Sequence, residues 1–298
     1  MKIGYYPGCT LKSKAKNLED SALACLTALG VDYEELPRWN GCGAVFSLAD
    51  DDLIHHLAPV RDLIRAKDAG HEQVTTLCSM CYNTLARANL LMKEDEEKRD
   101  TINRFMEEES DYAGEVEVIH YLDYLRTAVG WDKVKAAVKK PLEGLRVAPY
   151  YGCTLLRPTS VAIEPPATPA MFHDFITALG ATAVRFPEEA ACCSSYQVLN
   201  SEAAAFDASS RILKSANEHG VETLVLSCPV CEYNLGTRQE DVRAAHEGIT
   251  GIPTFYFTQL LAVALELPFD QIGLQLNEKA SLELLRAKNF ASEAAAPA

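Results

Sequence analysis

The chain has 298 residues, 48% hydrophobic and 23% charged, so it can bury a core without disulfides or a structural metal. Its net charge of −14 argues against a nucleic-acid partner, which needs a basic footprint, and against an anionic membrane surface. No run of 18 apolar residues offers a membrane span, and the best stretch, "FYFTQLLAVALELPF", is short and carries Glu266, so it reads as a buried helix.

The N-terminus "MKIGYYPGC" lacks a signal-peptide pattern, and the expected location is cytoplasmic. "KIGYY" predicts a short buried strand ahead of Cys9. "ALACLTALG" ends a helix at Gly30, and "VDYEEL" is the next strand, leading to "WNGCG" and Cys42. "LADDDLIHHLAPVRDLIRAKDAG" is a long amphipathic helix closed by Gly70. Its adjacent His55 and His56 face different sides and are poorly placed to chelate one ion together. "VTTLC" is a strand running into the C-x-x-C turn of Cys78 and Cys81. Lys93 to Glu109 is expected as a charged linking helix, and "EVEVIHYLDYL" as a strand and helix carrying His120. Trp131 to Gly144 reads as a connector.

The same series then starts again. "RVAPYY" leads to Cys153, "FHDFITALG" ends a helix at Gly180, and "ATAVRF" leads to "AACCSS" with Cys192 and Cys193. "NSEAAAFDASSRILKSANEHG" is a helix closed by Gly220. "TLVLSC" enters the turn of Cys228 and Cys231, and "PTFYFTQLLAVAL" is again strand then helix. The final "SEAAAPA" reads as disordered.

This is an internal duplication in two copies. Cys9 and Cys153 are 144 residues apart, Cys42 and Cys193 are 151 apart, and the two C-x-x-C pairs are 150 apart. "YYPGCTLKS" matches "PYYGCTLLR", and "TTLCSMCYNTL" matches "LVLSCPVCEYNL". Strands alternating with helices indicate parallel α/β units, which place ligands just past their strand ends.

Ten cysteines in a reducing compartment are not expected to form structural disulfides. Cys25, without a partner in the second copy, reads as a packing residue on a helix face. For the other nine, chance packing does not explain the register. Zinc is possible in the first copy, whose Cys9, Cys42, Cys78 and Cys81 make four ligands. The second copy has five, and tetrahedral zinc has no use for the fifth. An iron–sulfur cluster suits thiolates gathered from several strand ends. Exchange by a low-pKa C-x-x-C is a further alternative, but both pairs sit inside wider sets. Lys12 and Arg157 follow the first cysteine of each copy and could bind an acidic substrate group. His120 is a weak candidate proton donor. There is no Rossmann fingerprint and no P-loop, so neither flavin nor nicotinamide is expected on this chain.

The pattern C-x38-CC-x34-C-x2-C, with "YYPGC", "WNGCG", "LCSMCYNTL", "PYYGC", "ACCSS" and "LSCPVCEYNL", resembles the cysteine-rich CCG domain family. Two such motifs in a chain of this length resemble the B subunit of heterodisulfide reductase. The resemblance implies an α/β fold of two homologous CCG-type repeats with parallel strands and flanking helices, related by a pseudo-twofold axis. Repeat one would span 1–140 with an incomplete central pair, repeat two 141–290, and a disordered tail 291–298. It implies that Cys153, Cys192, Cys193, Cys228 and Cys231 hold a noncubane [4Fe-4S] cluster in repeat two. In repeat one Gly41 stands where the family has the first cysteine of its central pair. Cys9, Cys42, Cys78 and Cys81 are then left for a [4Fe-4S] or smaller cluster, a modified noncubane cluster, or zinc.

The resemblance further implies that electrons come from a small iron–sulfur subunit (C-type) and, beyond it, a flavin-containing subunit (A-type). The expected reaction is reduction, or reversible formation, of a disulfide. The alternative is a non-catalytic electron-relay subunit of a multi-subunit oxidoreductase, a reading that Gly41 strengthens.

Overall fold

A computed structural model describes residues 2–44 and 52–291. Each copy builds a four-stranded parallel sheet. The first contains β1 (Ile3–Tyr5), β2 (Tyr33–Glu35), β3 (Gln73–Thr76) and β4 (Glu117–His120), in the order β2-β1-β3-β4. The second contains β5 (Arg146–Pro149), β6 (Thr182–Ala183), β7 (Thr223–Leu226) and β8 (Thr254–Tyr256), in the order β6-β5-β7-β8. The order is the same in both, as a duplication requires. The inner strands β1 and β7 are buried throughout, which is why they read as short apolar runs rather than alternating ones.

Helices connect and cover the strands. Lys16–Ala28 turns Leu18, Ala22, Cys25 and Leu26 inward, spaced as one helical face. It ends before Gly30, and Met171–Ala178 ends before Gly180; these glycines have φ of +68° and +84°, the left-handed stop expected of them. Glu202–Glu218 starts on Ser201, whose hydroxyl accepts from the Ala204 N–H.

The helix expected over Lys93 to Glu109 is not one element. The helix after the first C-x-x-C turn runs from Ser79 to Glu94, and a second runs from Glu96 to Phe105. Asp95 is extended between them, and its carboxylate accepts from the Lys98 N–H, which ends one helix and caps the next. The connector read from Trp131 to Gly144 begins with a helix, Trp131–Ala137. The start of the helix read from Leu48 lies outside the described residues, as does the expected tail from residue 292 on; the described helix is Ile54–Asp68.

The repeats interlock. Phe257–Ala264, the helix that closes repeat two, packs on Lys16–Ala28 of repeat one. There the Ser21 and Thr258 hydroxyls meet at 2.6 Å. Reciprocally, Tyr121–Tyr124 of repeat one packs on Met171–Ala178 of repeat two. Phe257 also packs edge-to-face against Tyr121, Phe172 and Phe175, which joins both halves in one apolar core. The stretch "FYFTQLLAVALELPF" therefore holds the end of β8 and the buried helix Phe257–Ala264, and no helix among the described residues is long and apolar enough to cross a membrane.

Candidate metal centre

In each sheet the chain passes outward in opposite directions from its two central strands. Loops from those strands therefore separate and leave a crevice beyond their C-terminal ends. Cys9 and Cys78 follow β1 and β3, and Cys153 and Cys228 follow β5 and β7. Cys42 and the pair Cys192 and Cys193 lie on the turns after β2 and β6. All nine cysteines thus gather on the same side of their sheets.

In repeat two the Cys153 thiol lies 3.6 Å from the Cys192 sulfur, and the Cys193 thiol 3.6 Å from the Cys231 sulfur. Cys231 also lies against Cys228. In repeat one Cys42 and Cys78 both lie against Cys81. The two groups join where Cys78 meets Cys228, and the neighbouring Ser79 and Ser227 hydroxyls are 2.5 Å apart. Cys42, Cys78, Cys81, Cys193, Cys228 and Cys231 are buried, Cys153 is half-buried, and Cys9 and Cys192 are exposed. Each repeat therefore brings one of its cysteines to solvent.

Thiols must lose protons to bind metal. The thiol bond from Cys153 holds Cys192 down at about 6, and the contact with Cys81 holds Cys42 at about 7, while the same two contacts push the Cys153 and Cys81 thiols up. Among the described residues, no group of three or more His, Cys, Asp or Glu side chains closes around a single-ion position. The space beside the sulfurs is kept by glycine. A Cβ on Gly8 would stand 3.0 Å from the Cys81 sulfur, and one on Gly152 would stand 3.4 Å from the Cys231 sulfur. Both glycines have positive φ, +74° and +63°, so the first-cysteine turn needs them twice over. The donor set and this cradle fit a sulfur-liganded iron group several ångströms across.

Several positioning residues were not singled out from sequence. The Tyr6 hydroxyl donates to the Asn40 carbonyl at 2.7 Å, and the Tyr150 hydroxyl to the Ala191 carbonyl at 2.6 Å. Each ties the first-cysteine turn to the central turn of its own repeat. The matched "YYPGC" and "PYYGC" had already put these tyrosines in register, so the signal was available. Buried Asp62 accepts from the Asn40 N–H at 2.8 Å and holds the central turn of repeat one from below. Its burial pushes it up to about 8.

His120 is fully buried, and burial lowers it to about 4, so it is neutral near pH 7. One ring nitrogen meets the Leu77 carbonyl at 3.0 Å, and the other accepts from the Leu122 N–H at 3.2 Å. Both nitrogens are thus engaged, and His120 stands as a satisfied histidine at the start of the Tyr121–Tyr124 helix. It braces the residue before Cys78. Lys12 departs from expectation: its ammonium lies 2.7 Å from both Glu19 and Glu35, so it is neutralised within the chain. Arg157 stays exposed beside Cys192 and spends one nitrogen on the Ala190 carbonyl at 2.9 Å. Cys25 is buried between helices, with its thiol 3.5 Å from the Thr258 carbonyl, remote from the nine. His56 is buried and His55 half-buried on Ile54–Asp68.

Comparison with known proteins agrees with the duplication. Residues 3–86 and 147–236 each match the family described as "CCG: Cysteine-rich domain", and together they exceed half the chain. The chain belongs to the cysteine-rich CCG domain family. Its CCG segments contain all nine clustered cysteines. The chain is 32% identical over 278 residues to the 8-methylmenaquinol:fumarate reductase membrane anchor subunit of Wolinella succinogenes, covering 93% of this chain and 96% of that one. It is 28% identical over 290 residues to the B subunit of the ferredoxin:CoB-CoM heterodisulfide reductase of Methanosarcina mazei, covering 95% and 96%. A hypothetical protein from Helicobacter pylori shares the fold with a TM-score of 0.73 at 14% identity, covering 93% of this chain and 53% of that one.

Proposed function

We propose that this CCG protein is the iron–sulfur, B-type component of a heterodisulfide reductase-type complex that reduces, or reversibly forms, a disulfide. Cys153, Cys192, Cys193, Cys228 and Cys231 would hold a noncubane [4Fe-4S] cluster. Cys9, Cys42, Cys78 and Cys81 would hold a second iron–sulfur centre, for which [4Fe-4S] is favoured and zinc is the alternative. Bound clusters supply one-electron transfer and a soft iron site with affinity for thiolate sulfur.

The observation that carries this reading is the junction of Cys78 with Cys228. Opening a disulfide takes two electrons and two protons and yields two thiols. Ligand sets that touch across the repeat boundary can pool two single electrons at one place. The donors would be a small iron–sulfur subunit, with a flavin subunit upstream of it, in a cytoplasmic complex. Exposed Cys192 and Cys9 mark the side on which a disulfide can approach. Arg157, beside Cys192, has guanidinium donors left over for an acidic substrate group. Because His120 is neutral with both nitrogens engaged, the protons would enter from solvent on that open side.

A second reading, a non-catalytic electron relay, is favoured by Gly41 and by the fumarate reductase relative. One experiment separates the two. The purified complex is reduced, candidate disulfides are added, and the centres are followed by EPR while thiols are assayed. A spectral change with thiol release supports the catalytic reading; neither, with any disulfide, supports the relay. Iron and acid-labile sulfide analysis tests the shared premise, and zinc without sulfide would sink it. Cys193→Ala is expected to lose the repeat-two centre, and full retention would defeat the ligand assignment.

A further inference from the structure

The second cysteine of the central turn is held differently in the two repeats. In repeat two it faces Asn234, three residues beyond Cys231 and only 2% exposed. The Asn234 amide nitrogen lies 3.0 Å from the Cys193 carbonyl, 3.3 Å from the Ser195 carbonyl and 3.5 Å from the Cys193 sulfur. An amide carries two hydrogens, so one can serve a carbonyl while the other points to sulfur. The amide oxygen, buried, has no hydrogen-bond partner. Turning the amide over would set that oxygen against two carbonyls and a sulfur, so the surroundings accept only the donor end.

Repeat one has Thr84 at the equivalent position. Its single hydroxyl hydrogen is offered to the Met80 carbonyl at 2.9 Å. Cys42 competes for that one hydrogen, whereas Cys193 shares an amide with two. The backbone differs as well. Thr84 sits inside the regular helix Ser79–Glu94, and Asn234 sits in a π-helical turn, Tyr233–Thr237. Such wide turns occur often at functional sites.

We propose that Asn234 is a positioning residue whose N–H contact to the Cys193 sulfur raises the reduction potential of the centre held by repeat two. A hydrogen bond to a ligating thiolate draws negative charge from the sulfur and so favours the added electron. This inference rests on the iron–sulfur reading above.

The test compares Asn234→Leu, which keeps the branched outline and removes the donor, with Asn234→Thr, which installs the repeat-one residue. Iron and sulfide are counted first in the purified protein, and the midpoint potential of the repeat-two centre is then titrated with EPR detection. Asn234→Leu is expected to keep its iron and shift the midpoint to more negative potential, with Asn234→Thr shifting it less. Thr84→Val should leave that midpoint where it is. A fully loaded Asn234→Leu centre at the wild-type potential overturns the inference and leaves the iron–sulfur reading standing. A wild-type chain without iron or sulfide overturns that reading instead. If Asn234→Leu loses its iron, Asn234→Thr decides: a more negative midpoint supports the inference, and one at or above wild type overturns it.

Discussion

Replacing the glycine before each first cysteine should damage the two repeats unequally, in an order that the structure fixes. Gly8 and Gly152 share a left-handed backbone, φ +74° and +63°, which an alanine adopts at a cost of about 1–2 kcal/mol. Gly152→Ala adds little beyond that, because its Cβ would meet the Cys231 sulfur at 3.4 Å, close to ordinary contact. Gly8→Ala would bring its Cβ to 3.0 Å from the Cys81 sulfur, and Cys81 is buried and cannot easily yield. Overpacking of that kind costs a further 1–3 kcal/mol, roughly. For a chain of this size about 2 °C of Tm is lost per kcal/mol. Gly152→Ala should then fall by about 2–4 °C and Gly8→Ala by about 4–10 °C. Both are melted anaerobically under reducing conditions and their iron is counted. Gly8→Ala melting with the wild type, or above Gly152→Ala, would refute the cradle reasoning.

Gly41→Cys should be tolerated, since its Cβ meets no described atom within 4 Å and its φ is not positive; added iron or an altered EPR signal would show that the position faces the repeat-one centre, and an unchanged spectrum would show that it does not. His120 should make the fold acid-sensitive. Its folded pKa, about 4, lies below the ordinary 6.5, so its stabilisation is present above pH 6.5 and lost as pH falls toward 4. That loss amounts to about 3 kcal/mol in full. Denaturant midpoints against pH should flatten over this window in His120→Asn, and an unchanged slope would contradict the assignment. Lys12→Ala should cost more than the roughly 1 kcal/mol of an exposed ion pair, because it leaves the buried Glu19 carboxylate without its cation, and should leave the KM for any acidic disulfide unchanged; a raised KM would return Lys12 to the substrate site.

Much of the site was legible because cysteine spacing is a local record of strand-end geometry. Two copies in register place nine thiols after equivalent strands, whatever the helices between them do. The glycine stops at Gly30 and Gly180 were legible for the same reason, since a helix end is a local conformational fact. The break at Asp95 was harder, because a charged stretch from Lys93 to Glu109 keeps good helix formers on both sides of it. Only the capping carboxylate distinguishes two helices from one.

The sequence by itself determined the duplication, the strand-then-cysteine order, and that Gly41 stands where the second copy has Cys192. Tertiary structure alone decided how the copies face each other, because Cys78 and Cys228 are 150 residues apart in the chain and meet only when the closing helices interlock. It also decided which charged and polar groups remain available. The partners of Lys12 and His120 were not legible in the sequence, because a side chain's charge state and its partners depend on what distant segments pack around it. Glu19 and Glu35 neutralise Lys12, while burial strips the proton from His120 against the opposing pull of the Leu77 carbonyl.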